Sequence, residues 1–173
     1  MTSGPRAVLI GFMGSGKTTV GQQLARLLGV AWIDSDGEIE RRSGRTIPEI
    51  FSADGEPAFR ALEEDVVADL LAGERGVVSL GGGAVLSEST RRRLAGHNVI
   101  YLHVTAAQGF ARVSGSKRPL LQAPDPAQVY ADLLAERDPV YRDIATIVVD
   151  AQPHQRLVAD EIISQLTTQE ARQ

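Results

Sequence analysis

Arg6-Ala7-Val8-Leu9-Ile10-Gly11-Phe12-Met13-Gly14-Ser15-Gly16-Lys17-Thr18-Thr19-Val20 is the stretch on which the reading of the fold turns. Its first half, Arg6–Phe12, is a short apolar run of the kind that forms a strand buried on both faces. From Gly11 to Thr18 it matches G-x4-G-K-[ST] in full. Beyond Lys17, the residues Val20, Leu24, Leu27 and Leu28 recur at helical spacing until Gly29 ends the run. Strand, glycine-rich turn and helix in that order give the motif a mechanism. Glycines let the backbone curl so that successive N–H groups face an anion, and the positive end of the following helix adds to the attraction. The segment therefore reads as a loop for a nucleoside triphosphate. Gly14, Ser15, Gly16, Lys17, Thr18 and Thr19 are the expected contacts, with Lys17 on the terminal phosphates and the Thr18 hydroxyl on Mg2+.

Outward from this loop, Val30–Ile33, Val77–Leu80, Val99–Val104 and Ile147–Val149 are further short apolar runs. Helical patterns cover Ile47–Phe51, Phe59–Leu71, Ala106–Val113, Ala127–Arg137 and Leu157–Leu166, with Phe59, Leu62, Val66 and Leu70 forming one stripe. Short strands alternating with helices predict an α/β fold in three layers, a parallel sheet of five strands with helices on both faces. A length of 173 residues suits one domain with a core of its own. Thr168–Gln173 reads as a loose tail.

Composition narrows the class. Hydrophobic residues make up 43% and charged residues 23%, as in an ordinary globular protein. No apolar run approaches the ~18 residues of a membrane span, and Ala7–Ile10 is too short for the core of a signal peptide. There is no cysteine, which fits a reducing cytoplasm. His97, His103 and His154 lie apart and make no zinc-ligand pair. A net charge of −4 argues against a general nucleic-acid binder. Lys17 is one of only two lysines, the other being Lys117.

The loop motif alone does not separate kinases, GTPase switches and ATP-driven machines. An N-K-x-D motif for guanine is absent, and the length favours a small kinase acting on a small molecule. Three later features bear on that acceptor. Asp34-Ser35-Asp36 follows the second strand, where carboxylates at i and i+2 point the same way, one toward Mg2+ and one toward a substrate hydroxyl; the alternative is a helix N-cap with solvated acids. Arg60 lies off the apolar stripe and can pair with Glu63 or Glu64, which alone would be a surface salt bridge. Ser79-Leu80-Gly81-Gly82-Gly83 closes the third strand, and three glycines allow positive φ and the close approach of a ligand.

The ordered set GFMGSGKTT, DSD, FR-x-x-E, SLGGG, RPLL and ERDPVYR closely resembles the shikimate kinase family from end to end. That resemblance implies a nucleoside-monophosphate-kinase-like fold with a mobile lid, here about 114–122, and a substrate-binding segment, here about 34–62. It implies transfer of the γ-phosphoryl of ATP to the 3-hydroxyl of shikimate. By similarity Asp36 contacts the ring hydroxyls and is the candidate base. Arg60 and Arg137 grip the carboxylate, Gly81, Gly82 and Gly83 close that pocket, Glu63 orients Arg60, and Phe51 and Phe59 line the wall. Thr18 and Asp34 match the Mg2+ positions, Asp34 through water. Arg118 matches the lid arginine over the phosphates, Arg112 the residue stacked on adenine, and Pro153 a nucleotide contact. Lys17, Asp36 and Arg118 are thus the expected catalytic residues. ATP and shikimate are the expected partners, with neither nucleic acid nor membrane, for a monomer in the cytoplasm. The rival readings are a kinase for another hydroxylated acid such as gluconate, and a catalytically silent binding domain.

Overall fold

Ala7–Ile10 forms the central strand, β1, with all four residues buried. In this computed structural model, which describes residues 4–116, 118 and 122–172, the other strands are β2 (Trp32–Asp34), β3 (Val77–Ser79), β4 (Val99–His103) and β5 (Ile147–Asp150). Among the described residues they make one sheet in the order β2-β3-β1-β4-β5, and every pairing is parallel. Val8 pairs with Val78 on one side and with Val99 on the other. The chain order reverses beside β1, and the carboxyl edge at such a switch point is where open α/β sheets bind ligands.

Alternate residues of these strands feed two cores. Ala7, Leu9, Ile100 and Leu102 pack with Leu24 and Ala25 of α1 (Lys17–Leu28) and Val158 and Ile162 of α8 (Gln155–Glu170). Val8, Ile10, Val78 and Tyr101 face the other layer. That layer is α2 (Ser35–Ser43), α3 (Ile47–Asp54), α4 (Glu56–Gly73), α5 (Glu88–Leu94), α6 (Ala106–Val113) and α7 (Pro126–Ile144). Leu24 and Ile39 are 0% exposed, so truncating either to alanine should cost about 2–5 kcal/mol. Among the described residues, no helix is long and apolar enough to cross a membrane.

Three elements differ from the expectation. α7 does not stop at Arg137 but runs through Pro139 to Ile144. A proline at that point removes the bond to the Ala135 carbonyl and presses its ring against that carbonyl, and burial of Tyr130, Leu134 and Tyr141 on the same helix offsets the loss. Thr168–Glu170 is not a loose tail but the last part of α8, anchored by a hydrogen bond of Arg6 to Glu170; Gln173 lies outside the described residues. α5 has no apolar stripe in Glu88–Leu94, and it starts because the Ser87 side chain caps it at Thr90.

Candidate active site

The phosphate loop leaves β1 and bends back into α1. Gly14 and Gly16 take φ of 83° and 89°, which a side chain would strain. Lys17 folds inward and donates from Nζ to the carbonyls of Gly11 at 2.7 Å and Phe12 at 3.2 Å. Burial lowers its ammonium pKa to about 8, against the pull of Asp36 and Asp34. Thr19 donates to the Gly16 carbonyl at 3.2 Å. Ser15 Oγ is buried and has no partner among the described residues.

Beside the loop, a cleft of about 510 Å³ is lined by Gly14, Gly16, Lys17, Thr18, Thr19, Asp34, Asp36, Arg60, Gly81, Gly82, Gly83, Arg112, Arg118 and Arg137. Residues from β2, α4, the end of β3 and α7 thus converge on the loop that follows β1. A second hollow of about 370 Å³ lies across the loop, where Gly14, Ser15, Gly16 and Arg112 meet Pro153. Arg118 is exposed, and it reaches the first cleft. Of the remaining lid residues, Lys117, Pro119, Leu120 and Leu121 lie outside the described residues.

Asp34 and Asp36 reach the cleft by a route different from strand alternation. Asp34 is the N-cap of α2 and Asp36 lies in its first turn, where a helix's positive end favours carboxylates. The two readings of this segment, helix start and cleft acids, hold together. Burial raises the pKa of both; Asp36 is pushed up to about 6, with Asp34 adding to the rise and Lys17 and Arg60 opposing it. Ser35 between them is buried, and its Oγ accepts from the Gly81 amide at 2.9 Å.

Arg60 donates to Glu63 at 2.8 Å and to Glu56 at 3.4 Å, not to Glu64. Glu63 is buried on the apolar side of α4, and burial raises its pKa although the bond to Arg60 opposes the rise. Phe59 supports the guanidinium from 5.2 Å below, and Phe51 packs on Phe59 with ring centroids 4.6 Å apart. Arg137 lies over the Phe12 ring at 5.2 Å. The three glycines do not take positive φ; at Gly81 and Gly83 close packing is what excludes a side chain, whereas a Cβ on Gly82 would meet only ordinary contacts. A Cβ on Gly81 would meet Asp36 Oδ1 at 2.6 Å, and one on Gly83 would meet the Arg60 guanidinium at 2.5 Å.

With that geometry in place, a family model described as Shikimate kinase matches residues 13–167. The chain belongs to the shikimate kinase family. The shikimate kinase of Mycobacterium avium is 55% identical over 147 residues, 84% of each chain. That of Thermobifida fusca is 53% identical over 165 residues, 95% of each. A solved shikimate kinase from Acinetobacter baumannii, in complex with shikimate, matches with a TM-score of 0.91 at 39% identity over 97% of this chain and 95% of that one. As a shikimate kinase family member the chain is an ATP-dependent kinase.

The sequence reading names Arg112 as a nucleotide contact without its bonds to the loop, and it leaves Ser79, Tyr130 and Tyr141 without a role in the site. Arg112 does more than border the second hollow, for it donates to the carbonyls of Gly14 at 3.1 Å, Ala151 at 2.7 Å and Gln152 at 3.2 Å. It thereby ties the phosphate loop to the segment after β5. Ser79 donates to the Lys17 carbonyl at 2.9 Å while accepting from the Trp32 indole at 3.0 Å. Tyr130 and Tyr141 reach the loops from α7. His103, at the end of β4, stands 3.9 Å from Asp138.

Proposed function

We propose that the chain transfers the γ-phosphoryl group of ATP to the 3-hydroxyl of shikimate, giving shikimate 3-phosphate and ADP. The observation that carries this reading is one cleft in which a phosphate loop and the set Asp36, Arg60, Arg137 and Gly81–Gly83 lie together. Two arginines and a carboxylate beside a triphosphate loop suit a hydroxylated carboxylic acid as acceptor.

Phosphoryl transfer asks for alignment and charge neutralisation more than for covalent help. In this reading the loop amides, Lys17, Thr18 and Thr19 hold the phosphates, with Arg112 and Pro153 beside the base. Arg118 closes over the moving group and spreads its charge. Arg60 and Arg137 hold the acceptor carboxylate, Glu63 keeps Arg60 in place with Phe51 and Phe59 behind it, and the glycine turn completes the pocket. Asp36 orients the 3-hydroxyl and takes its proton as the oxygen attacks. A pKa of about 6 keeps that carboxylate ionised at neutral pH and brings its basicity nearer the working range.

Thr18 and Asp34 are hard oxygen donors within the same cleft. Among the described residues there is no cluster of three or more acidic or histidine ligands. This donor set fits Mg2+, which takes one or two protein oxygens and completes its shell with phosphate and water. Thr18 would hold it directly and Asp34 through water. The ion supplies charge neutralisation on the phosphates when bound. The reading places the chain in the cytoplasm, as a monomer whose mass sedimentation of the purified protein tests.

An assay coupling ADP release to NADH oxidation, with Mg-ATP and a panel of shikimate, gluconate and quinate, tests the function. Turnover with shikimate well above the other acids is expected; no shikimate-dependent ADP release sinks the reading.

A further inference from the structure

We propose that Tyr130 and Tyr141 are positioning residues through which α7 aims one amide at the donor phosphates and another at the acceptor. The inference rests on the functional reading above and assigns work to a helix that otherwise contributes only Arg137 to the site.

Tyr130, Arg137 and Tyr141 share one face of α7, since steps of seven and eleven residues return to within about 20° of the same direction. Both tyrosines are buried. The Tyr130 hydroxyl donates to the Met13 carbonyl in the phosphate loop at 2.6 Å. The Tyr141 hydroxyl donates to the Gly82 carbonyl in the glycine turn, also at 2.6 Å. These two loops follow different strands and lie far apart in sequence, yet each has a carbonyl fastened to the same helix.

What a fastened carbonyl does follows from the planarity of the peptide. In a trans peptide the C=O of one residue and the N–H of the next point in opposite directions. Holding the Met13 carbonyl against α7 therefore turns the Gly14 N–H away from α7, and holding the Gly82 carbonyl does the same for Gly83. Gly14 and Gly83 both line the cleft. Neither glycine has a side chain that could otherwise set the rotation of its peptide plane.

The surroundings hold the phenols more tightly than packing alone requires. A Cβ on Gly109 would collide with the Tyr130 hydroxyl, so that residue leaves the room the hydroxyl occupies. The Tyr130 ring lies 4.9 Å from Phe12. The Tyr141 ring stacks on Tyr101 at 4.9 Å, Tyr101 donates to Asp138 at 2.7 Å, and Arg142 donates to Asp138 at 2.8 Å. A Cβ on Gly82 would stand 3.8 Å from both the Arg137 guanidinium and the Tyr141 hydroxyl, so carbonyl, arginine and phenol converge. Burial pushes both phenols up to about 12, so each stays a protonated donor at neutral pH.

Phenylalanine keeps the ring and removes only the hydroxyl, so Tyr130→Phe and Tyr141→Phe isolate the two bonds. Tyr101→Phe serves as control, because its hydroxyl bonds to Asp138 and to neither loop. The constants to measure are KM for ATP and for shikimate, kcat, and calorimetric Kd for ADP and for shikimate. Tyr130→Phe is expected to raise KM for ATP and Kd for ADP about 5- to 10-fold and leave the shikimate constants within about twofold. Tyr141→Phe is expected to do the reverse. Tyr101→Phe is expected to lower Tm without separating the two substrates. Equal shifts in both substrates' constants, or none beyond those of Tyr101→Phe, would overturn the proposal. If the unaltered protein neither binds nor phosphorylates shikimate, the functional reading fails, and the ADP constants of Tyr130→Phe decide this inference on their own.

Discussion

Arg60 and Glu63 form a half-buried ion pair one turn apart on α4, with the guanidinium at 2.8 Å from a carboxylate that is itself sealed from solvent. Glu63 occupies a position on the apolar face of the helix, between Phe59 and Val66. Burying a carboxylate there is costly unless it is paired and hydrogen-bonded. The pair therefore makes sense as a device for holding one arginine still, with its remaining donors free to turn toward the cleft.

Arg60→Ala should raise KM for the acceptor acid about 10- to 100-fold, the worth of a charge-assisted hydrogen bond. Nucleotide affinity should stay within about twofold, because no loop amide depends on Arg60. Glu63→Gln acts only through Arg60 and should raise the acceptor KM by a smaller factor, about 5-fold. Steady-state kinetics with calorimetric ADP binding checks both; an unchanged acceptor KM in Arg60→Ala removes it from the carboxylate site.

Asp36→Asn should remove activity while making the protein more stable at pH 7. The Asp36 pKa in the fold is about 6, above the 3.8 of an unperturbed aspartate. The fold therefore favours the protonated form, so this group's contribution is complete below about pH 4 and is lost as pH rises through about 6. The charged form then costs on the order of 2–3 kcal/mol at pH 7. Asparagine has no such cost, and the gain corresponds to about 5–10 °C in Tm. The difference between the two proteins should close near pH 4. Thermal unfolding at both pH values measures this, and near-normal turnover in Asp36→Asn excludes Asp36 as base.

The phosphate loop was legible because its chemistry is local: three glycines, a lysine and a threonine within one turn of chain. The strands and their parallel order were legible for a related reason, as short apolar runs between helical patterns leave few other arrangements. Pro139 misled the reading of α7 because its penalty is local and the compensating burial of Tyr141 is not. At Gly81–Gly83 the expected positive φ is not taken, and the space that Gly81 leaves for Asp36 and Gly83 for Arg60 is an approach only the tertiary fold reveals. Residues 117 and 59 positions apart are joined by the hydroxyls of Tyr130 and Tyr141, and no periodicity or motif carries such a contact. Glu63 did leave a trace, as a charged residue on an otherwise apolar stripe.

Gly83→Ala and Gly76→Ala should separate a functional glycine from a structural one. At Gly83, φ is −96°, so alanine is sterically allowed by the backbone. The three atoms nearest its Cβ would all belong to the far end of the Arg60 side chain, which can move. The expected result is an acceptor KM raised about tenfold, as Arg60 is displaced, with a loss of Tm smaller than that of Gly76→Ala. At Gly76 the new Cβ would strike the Ala31 carbonyl, which is backbone. That clash lies where the chain enters β3 beside β2, and it should cost about 1–3 kcal/mol or more. Equal losses of Tm in the two variants would contradict the distinction.

The pH profile of kcat/KM should be a bell set by Asp36 and Lys17. Values of kcat/KM report groups of the free protein. Asp36 must be ionised to accept a proton, so activity should rise as pH passes about 6. Lys17 must keep its proton to face the phosphates, and burial has brought its pKa down to about 8. Activity should therefore fall above about pH 8, well before an ordinary lysine would titrate. The two limbs belong to different substrates. Kd for ADP should weaken along the alkaline limb and change little across the acid one, since Lys17 keeps its proton when Asp36 gains one. Parallel measurement of kcat/KM and ADP binding over that range tests the assignment. An alkaline limb near 10.5, or one that leaves ADP binding unchanged, would take Lys17 out of it.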